Sequence, residues 1–130
     1  MNDRNDGKSF ESLVESIFKS LNSKYEHVSI SRDVRLPSLD GPRQFDVVIK
    51  IKIALIELIT VIECKDYKEK IGIETLDALI SKTQDLNISK AILISRNGFS
   101  SVLINKANRH NISLFTLDNV SNIDDINLKI

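Results

Sequence analysis

Four residues of this chain combine types and spacings suited to hydrolysing a phosphodiester: Glu11, Asp46, Glu63 and Lys65. Glu63 and Lys65 stand two apart at the end of the run Val61-Ile62-Glu63-Cys64-Lys65. On a strand, both side chains leave the same face, together with Ile59 and Val61, while Cys64 points the other way. An acid and a base closing an otherwise apolar strand are costly to bury unless they are paired, ligated or at an opening. Asp46 lies near the start of the preceding strand. In an antiparallel hairpin the start of one strand lies beside the end of the next, so Asp46 and Glu63 converge without fine tuning of register. At roughly 100° per residue, Glu11 falls at the border of a helical apolar stripe, where it can reach over the sheet.

Two or three carboxylates beside a lysine are what water attack on a phosphodiester requires. Hard oxygen ligands hold Mg²⁺, which takes only one or two carboxylates from a protein and keeps several waters. Such a cation polarises a phosphoryl oxygen and lowers the pKa of water, and a lysine can orient that water or offset developing charge. The same residues also admit plainer roles. Glu63 and Lys65 could form a structural ion pair contributing about 0–1 kcal/mol. Asp46 could be a turn residue, and Glu11 could complement a helix dipole. Short patterns of this kind recur by chance, so the residues alone leave both readings open.

The elements that must position these groups follow from periodicity. Phe10, Leu13, Val14, Ile17, Phe18 and Leu21 recur at helical spacing and predict a helix over about 9–22, with Ser9 or Asp6 as its cap. Val28, Ile30, Val34 and Leu36 share one alternating face, Arg32 being the exception, and predict a first strand. Pro37-Ser38-Leu39-Asp40-Gly41-Pro42 reverses the chain. A second strand is expected over about 44–50 and a third ending at Lys65, although Ile51 to Leu55 carries no glycine, proline or asparagine to turn between them. A helix over 73–86, a buried strand over 90–95, a helix capped by Ser100 and running to His110, and a strand over 112–117 complete the order. The three strands of the meander should pair antiparallel, and the later crossovers should add parallel strands. The expected fold is α/β, a mixed central sheet flanked by helices, with one domain over 1–118 and a tail over 119–130.

Composition narrows the class. At 130 residues, 42% hydrophobic and 28% charged, the chain has the size and make-up of one globular domain. Lysine plus arginine (18) equals aspartate plus glutamate (18), so any basic surface for nucleic acid must be local. One cysteine, Cys64, excludes an internal disulfide and suits a reducing compartment. The polar start does not read as a signal peptide, and the longest apolar run, Ile53 to Ile62, contains Glu57 and falls short of the ~20 residues of a membrane span. A cytoplasmic location with no membrane association is expected.

Phe10-Glu11-Ser12-Leu13-Val14 through Ile17-Phe18, Arg43-Gln44-Phe45-Asp46-Val47-Val48-Ile49, Ile62-Glu63-Cys64-Lys65-Asp66-Tyr67, Ile71 to Glu74, Ile94-Ser95 through Gly98-Phe99-Ser100, Ala107 and Asn111 to Leu114 together resemble the Mrr-like restriction endonucleases of the PD-(D/E)xK nuclease superfamily. The resemblance covers about residues 7–118. It implies a restriction-endonuclease-like αβββαβ core and a metal-dependent DNA endonuclease of restriction or defence type. By position, Asp46, Glu63 and the backbone carbonyl of Cys64 would hold Mg²⁺, for which Mn²⁺ can substitute. Glu11 would complete the shell directly or through water, and Lys65 would be the catalytic lysine. Cleavage would leave 5′-phosphate and 3′-hydroxyl ends.

Arg43, Lys68, Lys70 and Lys82 are candidates for phosphate contacts, each weighed against the role of a solvated surface side chain. Tyr67 is expected to pack over the site, and the Cys64 thiol to pack in the core. One chain carries one site, so double-strand cleavage calls for a homodimer or sequential nicking. The chain shows no winged-helix module, so sequence-specific cleavage is not expected of it alone, and a targeting partner protein is one candidate partner. The alternatives are a Holliday-junction or repair nuclease of the same superfamily, and a non-catalytic DNA-binding or interaction subunit on the same fold.

Overall fold

The computed structural model describes residues 8–22 and 27–121. Its elements run α1 (Lys8–Asn22), β1 (Val28–Leu36), β2 (Arg43–Ile53), β3 (Ile56–Lys65), α2 (Ile73–Thr83), β4 (Lys90–Ser95), α3 (Val102–Arg109), β5 (Ile112–Thr116) and α4 (Leu117–Ser121). The strands form one sheet in the order β1-β2-β3-β4-β5. β1, β2 and β3 pair antiparallel, and β3, β4 and β5 pair parallel. This is the mixed sheet that the hydrophobic runs predict. Two cores result, one on each face. Leu76, Leu79, Leu103 and Ala107 of α2 and α3 pack on Val48, Val61, Ala91 and Leu93. Phe10 and Val14 of α1 and Val120 of α4 pack on Val47, Ile49, Ile62 and Ile94.

The sheet departs from simple alternation at one place. Val28 and Ile30 join the α1 core, whereas Val34 and Leu36 join the α2 core. The expectation that these four share one face is thus corrected. Asp33 takes φ 50°, a left-handed conformation that turns the strand over. β2 makes the matching exchange, with Phe45 on the α2 side and Val47, Ile49 and Ile51 on the α1 side. Because Val34 pairs with Phe45 and Arg32 with Val47, Asp33 and Asp46 face one another at the crossover.

Several boundaries differ from expectation for local reasons. β2 continues to Ile53 and β3 begins at Ile56, because the β-branched run carries both strands to a two-residue turn at Ala54-Leu55. Ala54 adopts φ 54° there, the conformation that glycine favours at the first central position of such hairpins. We expect Ala54→Gly to stabilise the protein by about 0.5–1 kcal/mol, read as a rise in the urea midpoint at constant slope. α2 ends at Thr83, whose hydroxyl donates to the carbonyls of Leu79 and Ile80. Ser9 lies inside α1 rather than capping it, and Asp6 lies outside the described residues. Ser101, not Ser100, stands at the start of α3, and the buried Ser100 hydroxyl finds no hydrogen-bond partner among the described residues. Beyond β5 the chain goes directly into α4, where Thr116 and Asn119 exchange side-chain-to-backbone hydrogen bonds as in a capping box. Val120 is buried there, and residues 122–130 of the expected tail lie outside the described residues.

The loops at the β3 and β4 ends are tied together. The Ile71 amide donates to the Gly98 carbonyl and the Ser100 amide to the Ile71 carbonyl, both at 3.0 Å. The fully buried Ser95 hydroxyl donates to the Gly98 carbonyl and accepts the Asn97 and Gly98 amides.

A candidate metal centre where two strands part

The β2–β3 ladder stops at the pair Val47–Ile62. One step further, the register places Asp46 opposite Glu63. There the strands part, and the Cys64 amide donates 2.8 Å to the Asp46 Oδ2 instead of to a backbone carbonyl. A side chain thus satisfies a group the ladder leaves open, and the same bond fixes the carboxylate at the opening. The convergence of Asp46 with the β3 end is therefore real and set by register.

Glu11 arrives from α1. It is 8% exposed while Leu13 is 42% exposed, so the helix turns Glu11, not Leu13, toward the sheet. The expected apolar stripe is narrower than its periodicity indicates; the Leu21 side chain lies outside the described residues. One carboxylate oxygen from each of Glu11, Asp33 and Asp46 lies within 4.8 Å of the others. Asp33 has no place in the sequence-derived set. Its signal was the polar break Arg32-Asp33 in an otherwise alternating strand.

Glu63 is 7% exposed on the α2 face and pairs with the Lys82 ammonium. Lys82 in turn lies 4.5 Å from the centroid of the fully buried Phe45 ring, a cation–π contact. Burial, followed by the nearby Asp46 carboxylate, pushes the Glu63 carboxyl up to about 7, although Lys82 and Lys65 draw it down. The Cys64 thiol is pushed far above its usual value by burial and then by the Asp46, Glu11 and Glu63 carboxylates. It is a packed thiol, neither nucleophile nor thiolate ligand.

Lys65 leaves the same face as Glu63, its ammonium 5.9 Å from the Tyr67 ring centroid. Glu63, Lys65, Tyr67, Lys82 and Leu93 border an open cavity of about 300 Å³. Tyr67 packs against the α2 core at its edge, as expected. The β3 terminus is braced by Arg96, whose amide donates 3.3 Å to the Lys65 carbonyl and whose guanidinium grips the buried Asp66. Neither Asp66 nor Arg96 stood out as a pair, because partners 30 residues apart have no periodic signature.

The basic candidates separate. Lys82 is no solvated surface lysine, being paired with Glu63. Arg43 opens β2 with its guanidinium 3.9 Å from Asp40 across the turn. Lys68 and Lys70 are exposed in the loop after β3.

Glu11, Asp33, Asp46 and Glu63 offer only hard oxygen donors, which suits Mg²⁺ or Mn²⁺ and disfavours thiophilic metals. Asp46 clusters with Glu11 and Asp33, while Glu63 lies outside that cluster on the α2 face, where the Asp46 charge is felt.

Comparison with known proteins agrees with this fold. The family profile of the Mrr catalytic domain, described as restriction endonuclease, matches residues 2–123. No curated protein matches. Among solved structures, Can2 from Sulfobacillus thermosulfidooxidans, in complex with cyclic tetra-adenylate, superposes at TM-score 0.72 with 18% identity, over 95% of this chain and 35% of its own. The DNA modification-dependent restriction endonuclease AspBHI superposes at 0.61 with 19% identity, over 88% and 30%. The MspJI restriction endonuclease, in complex with a 27-mer oligonucleotide, superposes at 0.62 with 10% identity, over 90% and 27%. The chain therefore spans about a third or less of each of these structures, and matches their fold.

Proposed function

The chain belongs to the Mrr catalytic-domain family of restriction endonucleases, and from that premise we propose that it is a divalent-metal-dependent DNA endonuclease acting by water attack on a phosphodiester. The observation that carries this reading is the Asp46 carboxylate, anchored by the Cys64 amide in a cluster with Glu11 and Asp33 and opposite Glu63 in register. Asp46, Glu63 and Glu11, with the Cys64 carbonyl, are the proposed ligands of Mg²⁺ or Mn²⁺, and Asp33 is placed to add a further oxygen. The cation supplies Lewis-acid polarisation of the phosphoryl group. Lys65 orients the attacking water and offsets charge on the phosphate from the cavity side. Arg43, Lys68 and Lys70 are the proposed phosphate contacts along the same sheet edge.

In this reading the DNA is the substrate, the protein acts in a defence setting in the cytoplasm, and a homodimer or a targeting partner pairs two sites for double-strand cleavage. No helix among the described residues is long and apolar enough to cross a membrane. Incubation of the purified protein with supercoiled plasmid and Mg²⁺ or Mn²⁺ tests the proposal. Metal-dependent nicking that disappears with chelator supports it. Binding of DNA without cleavage at any metal concentration would favour a non-catalytic DNA-binding subunit.

A further inference from the structure

We propose that Lys82 of α2 is a positioning residue for the metal ligand Glu63, holding one carboxylate oxygen so that the other is presented to the cation. The inference rests on the reading of Glu63 as a ligand and adds a residue to it from a different element. Lys82 takes Glu63 Oε1, and no other hydrogen-bond or ion-pair partner of Glu63 occurs among the described residues. The ammonium is itself held on its other side by the Phe45 ring at 4.5 Å. Phe45 is fully buried and immediately precedes Asp46 in β2, so the clamp is referenced to the strand that carries the other proposed ligand. Only 28% of the Lys82 side chain is exposed. A long flexible side chain thus has a defined direction, and the carboxylate it holds has one rotational freedom removed. Ligating carboxylates are commonly oriented by such outer hydrogen bonds, whose loss typically costs about 10–100-fold in metal affinity. A lysine at this place acts on the ligand rather than on the substrate, which distinguishes it from Lys65.

Mn²⁺ binding measured by titration calorimetry, with no DNA present, tests the proposal on wild type, Lys82→Met, Lys82→Arg and Glu63→Gln. Met retains the stem over Phe45 and removes the donor; Arg restores charge and donor. We expect Lys82→Met to weaken Mn²⁺ binding by about tenfold or more, and Lys82→Arg to bind close to wild type. Equal affinity in Lys82→Met, or an Arg variant as weak as the Met variant, overturns the positioning role. In either case a loss of affinity in Glu63→Gln leaves Glu63 standing as a ligand. Wild-type affinity in Glu63→Gln, or no Mn²⁺ binding by wild type, overturns both readings together. Should Lys82→Met not fold, Lys82→Leu, which likewise has no donor, carries the same comparison.

Discussion

Alanine at Lys65 or at Asp46 should lower plasmid nicking by at least about 10³-fold, through two different losses. Lys65 projects into the open cavity, and among the described residues no hydrogen bond or ion pair holds its ammonium. Its removal takes charge and a donor from the proposed reacting centre and leaves the fold intact, so Lys65→Ala should unfold at the wild-type midpoint. Asp46→Ala removes a proposed ligand and also strips the Cys64 amide of its acceptor. An unsatisfied buried donor costs about 1–3 kcal/mol, so this variant should lose both activity and stability. Asp46→Asn separates the two effects. Its amide oxygen can still accept the Cys64 N–H, which preserves stability, while the anionic ligand is gone and cleavage stays lost. Single-turnover nicking rates beside urea denaturation of the three variants make the comparison. Cleavage within tenfold of wild type by either alanine variant would remove that residue from the chemistry.

Why these residues meet was partly legible in the sequence. Antiparallel pairing of β2 with β3 follows from their hydrophobic runs, and it alone brings Asp46 to the Glu63 end. Helical periodicity placed Glu11 at the border of α1, and the structure turns it further inward than Leu13. What stayed hidden depends on backbone conformation or on long-range partners. Aspartate tolerates the left-handed region without announcing it, yet that single φ at Asp33 exchanges the faces of β1 and aims its carboxylate at Asp46. The Ala54-Leu55 turn lacks the glycine or asparagine that normally announces a hairpin, so the expected β2 stops short of Ile53. Lys82 reads as one more surface lysine on an amphipathic helix, since only the packing of α2 over β3 places it on Glu63. Val120 sits in a polar stretch whose helix forms through the Thr116–Asn119 exchange, and its burial is a property of the assembled core.

Glu63 carries the second large effect, and its sign is opposite to that of an ordinary surface carboxylate. Its folded-state pKa, about 7, lies above the ordinary 4.5, because burial first and Asp46 second disfavour the charged form. The native state therefore binds this proton more tightly than the unfolded chain. The associated stability is fully present below pH 4.5 and is lost as pH rises through 7. By pH 8 the metal-free protein should have lost on the order of 3 kcal/mol at this position. Glu63→Gln keeps the neutral form at every pH. It should match wild type at pH 4 and exceed it by a margin growing to about that amount at pH 8, read as the difference in unfolding free energy with chelator present. A difference that does not change with pH would mean that Glu63 is not desolvated as its burial indicates. Added Mg²⁺ should reverse the order at high pH, because a ligand that binds only the folded state stabilises wild type by mass action and finds a weakened site in the variant. A carboxylate that is unfavourable in the empty fold and favourable only with a cation is held ready for binding. Its presence beside Asp46 is then accounted for by the proposed cation rather than by the stability of the sheet.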